Sequence, residues 1–182
     1  MEFGPAFWIL AALGAASAAA YGLYFLYKPP SLLRALVKTG FVGLLAIAFL
    51  TVETRAPIFL ALALCAAGDF FLAFDKKWTL PLGILAFLLA QLLYAFIFFA
   101  LWMLAPDGAP LWPRYLMMGL IAATTIGFLI WMGPKLGWMA LGVVPYAIAI
   151  TAMACMAMWL PWAGWPGILG AISFLVSDFV LS

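Results

Sequence analysis

A chain of 182 residues that is 70% hydrophobic and 8% charged lacks the polar surface a soluble globule needs. Its apolar runs are long enough to cross a bilayer, so composition predicts an all-α polytopic transmembrane helical bundle, one integral membrane domain over residues 1–182. The net charge of +2 argues against nucleic acid as a partner, and the absence of histidine excludes histidine metal ligands, a histidine base and a Ser-His-Asp triad.

Hydropathy and loop punctuation predict seven spans: residues 7–27, 34–50, 57–74, 80–104, 113–132, 138–160 and 164–182. The first contains Ala16-Ser17-Ala18, which resembles a signal-peptidase site, but Glu2 and no Lys or Arg precede it. A cleaved signal peptide has a basic start, so this helix is expected to be retained. The connections carry the expected breakers: KPP at 28–30, PDGAP at 106–110, GPK at 133–135 and PWAGWP at 161–166.

Lys28, Arg34, Lys38, Lys76, Lys77 and Lys135 fall on the side of the connections after spans one, three and five, whereas only Arg55 and Arg114 fall on the other. The positive-inside rule then places the first set in the cytoplasm and the amino terminus outside, in the plasma membrane or its inner-membrane equivalent. Trp112, Trp138, Trp159, Trp162 and Trp165 lie near span ends, as an interfacial aromatic belt requires. Glu53, Asp75 and Asp107 lie in or beside connections and are expected to be solvated. Cys65 and Cys155 lack CxxC spacing and serve as small apolar filling.

Span two opens with Arg34 and Lys38, four residues apart and so on one face. Two roles are open to them: snorkelling to lipid headgroups, which sets topology, or holding a substrate phosphate. Gln91 and Tyr94 share a face of span four, and Tyr146 follows Pro145 in span six. Hydrogen bonding between helices is the plain role for these groups.

An internal echo sets two residues apart. Pro57 stands twelve residues before Asp69, Pro166 stands twelve before Asp178, and the two stretches align without a gap over 57–73 and 166–182. Leu60, Phe70 and Leu72 find identical partners in Leu169, Phe179 and Leu181, and Gly68 is matched by another small residue, Ser177. In the predicted topology spans three and seven run parallel, and each aspartate lies roughly 18 Å beyond its proline, past the midplane on the cytoplasmic side. Intramembrane carboxylates are expensive and mark function. Enzyme, small transporter or proton pathway, and assembly protein with merely paired aspartates are the three classes open to such a pair. No metal is expected, because neither span carries a further acidic residue at ligand spacing.

Four stretches resemble the YhhN-like transmembrane lysoplasmalogenase family: CAAGDFFLAFD at 65–75, GAISFLVSDFVLS at 170–182, FLLAQLLYAF at 87–96 and, more weakly, LLRALVKTG at 32–40. The resemblance implies a multi-pass membrane hydrolase without a cofactor, which cleaves the vinyl ether bond of lysoplasmalogens to a fatty aldehyde and a glycerophospho-alcohol. It makes Asp69 and Asp178 the catalytic aspartates. Lys38 becomes the family's lysine on the second helix, with Arg34 beside it, and Gln91, Tyr94 and Tyr146 become further substrate-binding groups. The partners implied are a lysophospholipid and the bilayer itself. Family members are expected to have eight spans, whereas this sequence stops four residues after Asp178, so a last helix is expected to be missing from it.

Vinyl ether hydrolysis adds a proton to the β-carbon, water captures the resulting oxocarbenium ion, and the hemiacetal collapses to aldehyde and alcohol while a proton is returned. The route needs a proton donor and a nearby negative charge. Two carboxylates can divide those roles, one neutral and one ionised, much as the paired carboxylates of glycosidases do. A serine nucleophile is not expected, because the chain has neither a GxSxG elbow nor histidine.

Overall fold

The computed structural model describes residues 3–52, 56–74, 76–104, 111–161 and 164–181. Glu2, Glu53, Arg55, Asp75, Asp107, the PDGAP segment, Trp162 and Ser182 lie outside them. Among the described residues there is no strand. The described residues form seven α-helices in succession: α1 Pro5–Leu23, α2 Leu32–Leu50, α3 Ala56–Leu72, α4 Thr79–Leu104, α5 Leu111–Leu136, α6 Ala140–Ala157 and α7 Trp165–Leu181. Single 3₁₀ turns stand at Phe25–Tyr27 and Gly137–Met139.

Four stretches, Pro5–Leu23, Leu32–Leu50, Thr79–Leu104 and Trp112–Ala157, are long and apolar enough to cross a membrane. The chain is a membrane protein. The two helices that carry the aspartates are shorter, at 17 residues each, the low end of the roughly 17–25 residues that a span needs. Trp112, Trp138 and Trp165 stand exposed at or beside helix ends, as interfacial anchors do. Three lysines lie over aromatic rings near such ends: Lys28 over Tyr24 at 4.6 Å, Lys76 over Trp78 at 6.0 Å and Lys135 over Trp131 at 4.3 Å.

One predicted break is displaced. GPK was expected to separate spans five and six, but α5 runs through Pro134 to Leu136. Proline removes one backbone hydrogen bond without forcing the chain to reverse. Reversal of the backbone falls instead at Gly137, whose φ of +54° lies in the left-handed region that glycine enters without a Cβ clash.

The chain divides into two compact units, Met1–Ala90 and Gln91–Ser182, with the division inside α4. In the first unit α2 packs against both α1 and α3. Ser31 caps α2 by accepting a hydrogen bond from the Arg34 amide at 3.2 Å. The Ser17 hydroxyl donates to the Val37 carbonyl at 2.8 Å and ties α1 to α2. Alanines dominate the interior of this unit, among them Ala35, Ala46, Ala48 and Ala61, which lets backbones approach where lipid offers no hydrophobic drive between helices. The buried Thr79 hydroxyl bonds the Phe74 and Lys76 carbonyls at 2.9 and 2.8 Å, closing the connection from α3 to α4.

In the second unit α6 packs against α5 and α7. Its core joins Ile121 of α5, Ile150, Met153, Ala154 and Ala157 of α6, and Ala171 and Leu175 of α7. Tyr94, Phe98 and Tyr146 pack against this cluster. One hydroxyl pair, Thr125 with Thr151 at 2.7 Å, bridges α5 and α6, and each hydroxyl also reaches a carbonyl of its own helix. A bridge of this kind satisfies polar groups that lipid cannot.

Candidate active site

Each aspartate sits in the second helix of an antiparallel hairpin and meets a polar group of the first. In the first unit the Lys38 ammonium on α2 lies 3.6 Å from the Asp69 carboxylate on α3. Both side chains are about a quarter exposed, at 25% and 23%. In the second unit the Tyr146 hydroxyl on α6 donates to the Asp178 carboxylate on α7.

The two pairings obey one geometric rule. In an antiparallel hairpin, residues at equal distance from the connection lie at one depth, so partners have a common midpoint in that connection. Lys38 and Asp69 centre between the end of α2 at Leu50 and the start of α3 at Ala56, and Tyr146 and Asp178 centre between Ala157 and Trp165. Separations are 31 and 32 residues, so Lys38 and Tyr146 take similar hairpin positions although the 109-residue offset of the repeat would align Lys38 with Ala147. Mirror counting across the connections was the signal that could have found both partners.

The halves differ in how the aspartate is set into its helix. Gly68 is buried, and a Cβ there would lie 2.6 Å from the Phe87 ring of α4. Ser177, its counterpart, is exposed. The ring of Phe87 therefore presses on the α3 backbone one residue before Asp69, and only glycine leaves it room.

Arg34 is half-buried on α2, and its Nε is buried without a hydrogen-bond partner among the described residues. Tyr94 is half-buried and stacks on Phe98, with ring centroids 6.0 Å apart. Gln91 is completely buried, and among the described residues neither its side-chain oxygen nor its nitrogen has a hydrogen-bond partner. Among the described residues no interhelical hydrogen bond satisfies Gln91. An unsatisfied buried amide costs about 1–3 kcal/mol. Gln91→Met is accordingly expected to leave thermal stability in detergent equal or higher while weakening any substrate the amide binds. A lower melting temperature for the variant would show that the amide serves the fold. Cys65 is buried and Cys155 half-buried, and neither forms a disulfide among the described residues. Among the described residues no group of three or more metal-ligating acidic or cysteine side chains comes together.

A family model described as the YhhN family matches residues 33–182, a stretch that includes Lys38, Asp69, Gln91, Tyr94, Tyr146 and Asp178. Among curated proteins, a lysoplasmalogenase of Mycobacterium bovis and one of Mycobacterium tuberculosis are each 33% identical over 124 residues. Those matches cover 66% of this chain and 46% of each relative, so the chain spans about half the length of the curated relatives it matches. No solved structure matches. The family model spans residues 33–182, with the repeat and both aspartates inside it, and the chain belongs to the YhhN family.

Proposed function

We propose that this protein hydrolyses the vinyl ether bond of lysoplasmalogens within the membrane, with Asp69 and Asp178 as its acid–base groups. The carrying observation is that both intramembrane carboxylates are held by a polar partner on the preceding helix, Lys38 at 3.6 Å from Asp69 and Tyr146 against Asp178, inside the stretch that matches the family. The names of the relatives supply the substrate class.

Roles can be divided from the first of these pairs. Asp69 has an ammonium counter-ion, the condition under which a carboxylate is tolerated as an anion away from bulk water. It supplies the negative charge that steadies the oxocarbenium ion. Proton donation to the β-carbon then falls to Asp178, with the Tyr146 hydroxyl fixing the orientation of its carboxyl group. Water adds to the cation with loss of a proton, which restores the carboxylic acid, and the neutral hemiacetal then collapses to aldehyde and alcohol.

Arg34 and Lys38 share a face of α2, and the unspent Nε donor of Arg34 supports phosphate binding there. The two cations should separate kinetically. Arg34→Ala is expected to raise KM with kcat little changed, the mark of lost uniform binding. Lys38→Ala is expected to lower kcat as well, because it also strips Asp69 of its counter-ion. Equal KM for wild type and both variants would return the two residues to setting topology.

The deciding experiment incubates purified protein, reconstituted in lipid, with a lysoplasmalogen and measures released aldehyde. Release that depends on both aspartates supports the proposal. No release, together with proton flux across the same vesicles, would favour a proton pathway built on the same carboxylates.

A further inference from the structure

We infer that the Gln91 amide holds the water molecule that captures the oxocarbenium ion, with that water bridging to the Asp178 carboxylate. The inference rests on the hydrolase reading and concerns its second reactant. An oxocarbenium ion formed inside a membrane protein has no bulk water beside it, so the nucleophile must be in place before the proton is transferred. Holding a water takes a buried group with a donor and an acceptor to spare. Gln91 supplies both: it is completely buried, and among the described residues neither amide atom has a hydrogen-bond partner.

The second unit brings that amide to Asp178. Near the end of α4 the Trp102 ring centroid lies 5.3 Å from that of Trp159, just past the end of α6. The two helices therefore end at one level, and α7 returns antiparallel to both. A Cβ at Gly167 of α7 would lie 3.8 Å from the Phe98 ring of α4, which sets those two residues side by side. From this contact Gln91 stands seven residues before Phe98, and Phe174 stands seven after Gly167, about two turns along each helix. Seven residues return to the same face, so Gln91 shares the face of Phe98 and Phe174 shares that of Gly167. Phe98 and Phe174 both pack against the buried cluster of this unit. Asp178 comes one turn after Phe174 on the same face of α7, about 6 Å from the level of Gln91. Two hydrogen bonds of about 2.8 Å that meet at one water oxygen span such a gap.

Water held there has a defined task. Its oxygen bonds to the cationic carbon while the π electrons of the carbon–oxygen double bond pass to the ether oxygen. One of its protons goes to the Asp178 carboxylate, which has just protonated the β-carbon. The amide carbonyl accepts the other hydrogen and so leaves a lone pair turned toward the carbon. The lipid makes no bond to the amide, so the substrate that Gln91 binds is water alone.

The test is steady-state aldehyde release from a lysoplasmalogen by the full chain in nanodiscs, in H2O and in D2O. In the wild type, proton transfer to carbon limits turnover and deuterium slows it. In Gln91→Met capture of water becomes limiting. The kcat is then expected to fall about a hundredfold, the scale of a misplaced reactant, with KM changed by less than about twofold and the solvent isotope effect reduced toward one. Gln91→Asn keeps the amide but withdraws it by one methylene, and should fall between the two. It carries the same readout should melting temperature show the Met variant to be unfolded. A raised KM at unchanged kcat would put the amide on the lipid and overturn the inference. A lower kcat with an undiminished isotope effect would overturn it too, because the loss would then lie in protonation, as would an unchanged kcat. Absence of aldehyde release by the wild type sinks the hydrolase reading, whereas release with an undiminished isotope effect in the variants sinks the water site alone.

Discussion

Asp69→Asn and Asp178→Asn are each expected to lower lysoplasmalogen hydrolysis by roughly two or more orders of magnitude, the scale of a lost acid–base group. Asparagine keeps the size of the side chain and can still bond Lys38 or Tyr146 in some form, so folding should survive. What it loses is the capacity to carry either a negative charge or a transferable proton. The proposed cycle needs one of each, which makes the double variant little worse than either single one, since groups that act as a unit are not additive. Rates on a lysoplasmalogen, with retention volume and melting temperature as folding controls, decide the matter. Activity retained in either well-folded variant would sink the assignment. Multiplicative losses would show that the carboxylates act in separate steps.

Much of this architecture was written in the apolar runs. Span two was expected at 34–50 and α2 covers Leu32–Leu50, span three at 57–74 and α3 covers Ala56–Leu72, because prolines and short polar stretches punctuate runs that lipid otherwise leaves helical. GPK misled because a proline within a helix costs one hydrogen bond, whereas the turn itself needed the left-handed φ that Gly137 supplies. The repeat of Pro57 and Asp69 in Pro166 and Asp178 pointed to the two carboxylates. It did not disclose their partners, because Lys38 and Tyr146 differ in chemistry and no shared motif surrounds them. Helical periodicity reports which face of one helix a residue occupies. Only the mirror relation across a hairpin says what it meets on the next. The four-residue spacing of Arg34 and Lys38 suggested a common task, yet Lys38 meets the Asp69 carboxylate of α3 while the Arg34 Nε finds no partner among the described residues, a split that spacing alone cannot carry.

The second large effect is expected at a residue with no functional group. A methyl added at Gly68 would stand 2.6 Å from two carbons of the Phe87 ring and 3.0 Å from a third, closer than packed carbons come. Phe87 is itself buried, so its ring has little freedom to swing aside. Gly68→Ala must therefore move α3, α4 or the ring, and overpacking of this kind costs about 1–3 kcal/mol. Against a total stability of roughly 5–15 kcal/mol for a domain, that is a sizeable fraction. Asp69 follows directly in the chain, so a shift of the α3 backbone also moves its carboxylate away from Lys38, and hydrolysis should fall with stability. Two further variants separate packing from any other cause. Gly68→Leu should fail outright, and Phe87→Leu, which removes the ring edge, should make the added methyl at position 68 tolerable, giving a double variant more stable than the sum of the single losses predicts. Ser177→Ala supplies the contrast in the other half, because that side chain is exposed and its replacement should shift the melting temperature little. Wild-type stability in Gly68→Ala would show that no close contact with Phe87 exists, and with it would go the explanation of why glycine precedes the first aspartate and serine the second.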